Sequence, residues 1–204
     1  MNILNNISFA IKNGESVSII GPSGAGKTSL LMLISGLEKP SSGRILINGA
    51  DITLYTENEL AVFRRDNIGI IFQNFYLIPT MTALENVAIP LEFAGVANAF
   101  ERAKQALIDV GLEHRIDHFP SQMSGGEQQR VGIARAFAPK PALILADEPT
   151  GNLDSENGKK IIDILFELNR KTGTTLVLIT HDEKIAARCS KRIKILDGEL
   201  REHN

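Results

Sequence analysis

A strand, a glycine-rich loop and a helix follow one another near the start of the chain, and that succession restricts it more than any other feature. Ser16-Val17-Ser18-Ile19-Ile20 is rich in β-branched residues and predicts a buried strand. It runs into Gly21-Pro22-Ser23-Gly24-Ala25-Gly26-Lys27-Thr28, and then into a stretch from Ser29 that is apolar at helical spacing and stops at Gly36. Glycines let backbone N–H groups curl around an anion without Cβ clashes. The helix N-terminus adds the positive end of its dipole. Lys27 can then reach the outer phosphates of a nucleoside triphosphate, and the Thr28 hydroxyl can ligate Mg²⁺. Residues 21–29 are the expected phosphate cradle. A glycine-rich turn that binds nothing would explain neither the full G-x-x-x-x-G-K-T pattern nor its strand–helix setting.

Helical and strand patterns alternate through the rest of the 204 residues, which predicts an α/β fold with a mostly parallel sheet. Further strands are read at Ile68-Gly69-Ile70-Ile71-Phe72, Ala142-Leu143-Ile144-Leu145-Ala146 and Thr175-Leu176-Val177-Leu178-Ile179. Arg44-Ile45-Leu46-Ile47 before Asn48-Gly49, and Ile193-Lys194-Ile195-Leu196 before Asp197-Gly198, read as hairpins. They predict an antiparallel β flank, to which residues 3–11 are also assigned. Between residues 74 and 139 the pattern turns helical. The expectation is a single domain: residues 1–73 and 140–204 form the P-loop core with its flank, and residues 74–139 form an inserted helical subdomain. Within it, Phe100, Ala103, Leu107 and Val110 are read as one helix face ending at Gly111. A later helix places Ile161, Ile162, Leu165 and Leu168 on one side and stops at Gly173.

Two further segments carry chemistry. The apolar strand ending at Ala146 meets Asp147-Glu148, and adjacent carboxylates there are costly unless they face cations or hydrogen bonds. In a P-loop protein the first acid contacts the Mg²⁺ shell and the second orients or deprotonates the attacking water. Ser124-Gly125-Gly126-Glu127 reads first as a capping box before the helix carrying Val131, Ala134 and Ala138. Capping accounts for the serine and the glutamate. It does not account for two glycines, which weaken a first helical turn but leave N–H groups open to a second phosphate.

With Gln73, Asp154 and His181 added in order, the chain resembles the nucleotide-binding domain of ATP-binding cassette (ABC) transporters over nearly its whole length. Met123-Ser124-Gly125-Gly126-Glu127-Gln128-Gln129-Arg130 is similar to the family signature, with methionine and glutamate at two variable positions. The resemblance implies catalytic roles for Lys27, Gln73, Glu148 and His181, and metal contacts from Thr28, Gln73 and Asp147. It implies nucleotide contacts from residues 21–29, Ser124, Gly125, Gly126, Glu127 and the D-loop Asp154. It implies MgATP as ligand, an ATP-dependent head-to-tail pair with a second copy, and a separate transmembrane permease. Phe72-Gln73-Asn74-Phe75-Tyr76, Ala83-Leu84-Glu85-Asn86-Val87 and Glu148-Pro149-Thr150-Gly151-Asn152-Leu153-Asp154 are similar to the lipoprotein-release and macrolide-export branch, which implies export or release of lipids, lipoproteins or peptides. Family members carry an adenine-stacking aromatic upstream of the segment matching Ile3-Leu4. Met1 follows that point, so the base is expected to be held less tightly.

Composition removes other classes. A net charge of −2 gives no reason to invoke nucleic acid. No apolar run approaches the ~18 residues of a membrane span, and a cytoplasmic protein, peripheral at the inner face of the membrane through its permease, is expected. The single cysteine, Cys189, excludes an internal disulfide. A soluble repair or translation ATPase of the same family would carry tandem cassettes or a coiled-coil insertion, and neither is visible. A P-loop kinase would have no use for the signature or for His181.

Overall fold

The computed structural model describes the backbone of residues 3–203, with side chains through Arg201; the expectation built on Met1 lies outside them. Five parallel strands and one antiparallel strand form the main sheet. They are β1 (Ser16–Ile20), β4 (Ile68–Ile71), β5 (Leu143–Asp147), β6 (Thr175–Ile179), β7 (Lys191–Leu196) and β8 (Glu199–His203). Their order is β4-β5-β6-β1-β7-β8, with only the β7–β8 pair antiparallel. The strands β5 and β6 are buried almost throughout, which is why they read as unbroken apolar runs rather than alternating ones.

Among the described residues seven α-helices complete the fold: α1 (Lys27–Ile34), α2 (Glu57–Asn67), α3 (Ala83–Phe93), α4 (Ala99–Asp109), α5 (Gly125–Phe137), α6 (Ser155–Thr172) and α7 (Glu183–Ala186). Capping boxes start α2, α3 and α5, from Thr56, Thr82 and Ser124 respectively. Asp154 caps α6, and Gly173 at φ 66° ends it, as its sequence position demands. One apolar cluster runs from Val87 and Leu91 through Leu107 and Ile133 to Ile144, Ile161 and Leu165, so α3, α4, α5 and α6 share it with one face of the sheet. A second cluster, including Ile19, Leu31, Leu60, Leu145 and Ile193, fills the other face.

Three local expectations need correcting. Residues 3–11 make no strand: Ile7, Phe9 and Ile11 do alternate inward against the second cluster, but no ladder partner meets their backbone. Its tertiary ties are isolated, such as the Asn5 N–H to the Gly198 carbonyl and Lys191 Nζ to the Ala10 carbonyl. The two hairpins do not share a flank. The turn at Asn48-Gly49 joins β2 (Leu46–Ile47) to β3 (Ala50–Asp51) in a separate small sheet, whereas β7 lies in the main sheet beside β1 and β8 extends it. Phe100 is 44% exposed, and Ala99 takes its place on the buried face of α4 with Ala103 and Leu107.

Candidate functional site

Strand register sets up the site. Ile71 pairs with Ala146, Asp147 with Ile179, and Ile179's other neighbour is Ile19. Four adjacent parallel strands, β4, β5, β6 and β1, therefore end nearly level. The chain leaving each end carries Gln73, Asp147-Glu148, His181 and the loop at residues 21–28 in turn. Ligands of open α/β sheets bind at this carboxyl edge.

The loop is built around glycines that a side chain could not replace. Gly26 sits at φ 97° as the N-cap of α1, and a Cβ on Gly21 would lie 2.2 Å from the Ile195 carbonyl oxygen of β7. Lys27 is buried and its ammonium turns back to donate to the carbonyls of Gly21 (2.8 Å) and Pro22 (2.9 Å). A cation is thus already centred on the loop, ready for phosphate oxygens. Thr28 donates through Oγ1 to Asp147 Oδ2 at 3.3 Å, so two hard oxygen ligands stand together. Burial pushes the Asp147 carboxyl above the usual range against the bond from Thr28, and neighbouring Glu148 adds to the rise. Such a carboxylate gains from a cation. Among the described residues no set of three His, Cys, Asp or Glu could cage a metal. The Thr28 and Asp147 oxygens could together hold Mg²⁺, which takes one or two protein oxygens and fills its shell with water and phosphate.

Glu148 stands beside Asp147 with φ 44°, a left-handed conformation unusual for a non-glycine residue. Its backbone is held there by its N–H to the Ile179 carbonyl (3.0 Å) and by its own carbonyl accepting from Gly151 (2.9 Å). His181 Nδ1 lies 3.2 Å from Glu148 Oε2, so a proton on that nitrogen would be donated to the carboxylate. A base and a polar hydrogen-bonding group are therefore paired beside the loop.

Gln73 does not join this cluster. Its side chain packs over Gly151, and Nε2 donates to Asn152 Oδ1 at 3.1 Å, while Asn152 Nδ2 donates to the Gln73 carbonyl (3.1 Å) and to Asn74 Oδ1 (2.9 Å). Nor does the turn at Ser124, Gly125, Gly126 and Glu127. The Ser124 hydroxyl is taken up in the capping box with Glu127, and among the described residues no hydrogen bond joins residues 124–127 to residues 21–28. Burial works to raise the Glu127 carboxyl, but bonds from Ser124 and from Arg115 (2.9 Å) override it and hold it below the usual range. Gly126 packs against Asn157, whose amide in turn is held by Asp154. The turn and Asp154 are thus neighbours through Asn157.

Sequence reasoning missed Asn152 and Gln129, whose partners lie far off in the chain, and Arg115, whose partners Glu127 and His118 lie nearby but share no helix with it. Phe9 packs on the core. His118 Nε2 accepts from Arg115 at 3.0 Å, and burial pushes the Cys189 thiol up to about 11, leaving it inert.

Comparison with known proteins follows the same lines. The family described as ABC transporter matches residues 4–151. An uncharacterised ABC transporter ATP-binding protein, YbbA of Escherichia coli K12, is 46% identical over 204 residues, 99% of this chain and 90% of the relative. The lipoprotein-releasing system ATP-binding protein LolD of Syntrophus aciditrophicus is 47% identical over 202 residues, 98% of this chain and 91% of the relative. Among solved structures, the dimeric ATP-binding cassette MJ0796 bound to ADP and Pi superposes with a TM-score of 0.90 at 44% identity, covering 99% of this chain and 90% of that one.

Proposed function

Since the chain belongs to the ABC transporter family as an ATP-binding and ATP-hydrolysing subunit, we propose that its roles divide between two nucleotide half-sites. One half-site is the strand-end cluster. Lys27 and the N–H groups of residues 21–29 other than Pro22 would hold the triphosphate, and Thr28 and Asp147 would hold Mg²⁺. Bound there, the cation would neutralise charge developing on the phosphates. Glu148 orients and deprotonates the attacking water, and His181 supports the terminal phosphate and holds the Glu148 carboxylate in place. Gln73 must leave Asn152 to reach the metal.

The other half-site is the outward-facing turn at Ser124, Gly125, Gly126 and Glu127, with Asp154 beside it. Among the described residues it makes no hydrogen bond to its own chain's loop, and in this reading it serves the nucleotide of a second copy paired head-to-tail. The single observation that carries this reading is that separation: a complete phosphate cradle and a complete second anion turn exist in one chain without meeting. Residues 74–139 form the helical arm that presents the turn.

Among the described residues no helix is long and apolar enough to cross a membrane. Membership of a transporter family supports a subunit that acts on a separate permease, at the inner membrane face. A groove of about 500 Å³ between α2, β4, α3 and α5 is lined by Arg65, Ile89, Pro90, Phe93, Arg135 and Pro139, with Phe93 77% exposed. Arg135 also holds the carbonyls of Phe75 and Tyr76, so the loop after Gln73 borders this groove. Its apolar walls suit an apolar permease segment, with Arg65 already paired to Asp66 and Arg135 to the loop carbonyls. The relatives named for lipoprotein release support release or export of a lipid-bearing cargo.

The test is capture of the tagged chain from native membranes, with ATPase measured on the complex and on its Lys27→Ala form. A co-purifying multispan protein and turnover lost in Lys27→Ala are expected. Turnover unaffected by Lys27→Ala would refute the loop assignment, and a chain recovered alone would refute the permease.

A further inference from the structure

Gln129 is a polar side chain in the wrong place for a packing role. It lies in α5 with 0% exposure, on the buried side of the helix. Its Nε2 donates to the Pro149 carbonyl at 2.8 Å and to the Phe72 carbonyl at 3.2 Å, while its Oε1 has no partner. The amide cannot be turned over, because Oε1 would then face two carbonyl oxygens. A methionine would fill the same volume and leave no orphan acceptor, so packing alone does not call for glutamine here.

The two carbonyls explain the choice. Phe72 immediately precedes Gln73, and Pro149 immediately follows Glu148. These loops leave neighbouring strands β4 and β5, and the helix holding the amide begins at the Ser124 turn. Further along the same helix, Arg135 holds the carbonyls of Phe75 and Tyr76, so α5 grips the loop after Gln73 at two places. We infer that Gln129 is a positioning residue for ATP hydrolysis: one buried amide pins the Gln73 loop and the Glu148 turn to the helix that serves the partner's nucleotide. A rotation of α5 then moves the metal-seeking amide and the water-activating carboxylate together. The inference rests on the two-half-site reading above and adds the connection between its parts.

Gln129→Met keeps size and removes both donors. On nucleotide-free protein, hydrogen exchange of residues 72–76 and 149–153 should rise together by about tenfold or more, with β1 and α6 unchanged. This arm needs no turnover, so it judges the pin even if the functional reading fails. In the permease complex kcat should fall by about tenfold or more, while the ATP KM stays within about threefold, because the phosphate loop is untouched. Gln129→Glu should regain turnover relative to the parent as pH falls, since only a protonated carboxyl can donate to Pro149. Unchanged exchange at either segment, a uniform rise over the whole chain, or a kcat loss under about threefold would each overturn the proposal.

Discussion

Gly69→Ala should loosen the packing of α5 without touching any nucleotide contact. Gly69 is in β4, opposite Ile144 of β5. A Cβ there would lie 2.5 Å from the Ala136 carbonyl oxygen of α5 and 2.6 Å from Ile144 Cδ1. The isoleucine tip can turn away, but the helix carbonyl is fixed by its own backbone. To reach an ordinary contact of about 3.4 Å the helix must retreat by about 0.9 Å, which disturbs a close-packed interior at Ile133 and Phe137. Overpacking of this kind costs about 1–3 kcal/mol, and the lower unfolded-state entropy of alanine returns under about 1. A net loss of about 1–2 kcal/mol in a domain of this length lowers Tm by roughly 2–8 °C. Scanning calorimetry of nucleotide-free protein measures it. The control is Gly132→Ala on the same helix, where the nearest atoms lie 3.9 Å from the new Cβ; helix propensity should raise its Tm. If Gly69→Ala melted at the parent temperature or above, the closeness of β4 and α5 would not be what fixes the helix.

Glu148→Gln keeps the shape but cannot take a proton from water; it should bind ATP, fail to turn over and accumulate as a dimer, read by light scattering with ATP. Persistent monomer in the presence of the permease would contradict the shared site. Lys27→Ala and Gly126→Asp proteins, each inactive, should regain some ATPase when mixed, because one mixed site combines an intact loop with an intact turn; mixed dimers without recovery would assign Gly126 to its own chain. Asp147→Asn should stabilise the nucleotide-free fold near neutral pH. The raised folded-state value means that ionising Asp147 opposes folding, fully so above that value and not at all below the unfolded one, so the Tm gain should shrink as pH falls through this window. A gain that grew toward acid would reverse the sign.

Legibility in the sequence followed the range of each interaction. The phosphate loop, the Asp147-Glu148 pair and the capping box at Ser124 are local patterns, and each stands where its own neighbours put it. The Asn48-Gly49 and Asp197-Gly198 turns were readable for the same reason; their residues sit at positive φ. What the hairpins pair with was not readable, because β7 takes its place beside β1 across 174 residues in the Ser16–Ser190 contact. Residues 3–11 show the opposite failure: the alternation of a strand is present, yet pairing needs a free partner edge that composition does not reveal. The parked position of Gln73 depends on Asn152, 79 residues away, and Gln129 reaches Phe72 across 57. Such amide contacts leave no periodic trace in the chain.

The strand order carries a mechanical consequence. Lys27, Asp147, Glu148 and His181 are mounted on β1, β5 and β6, each clamped by a neighbour on both sides, whereas Gln73 follows β4, which has one neighbour only. Displacing a flanked strand breaks two ladders; displacing a border strand breaks one. The sheet is therefore graded in compliance, stiff where bond-making atoms must keep their spacing and yielding where motion must pass outward. A force arriving from the groove bordered by β4 reaches Gln73 through the most deformable strand of the parallel set; Lys27, Asp147 and His181 keep their alignment while it does, and Glu148 moves only as far as the Gln129 tether carries its turn.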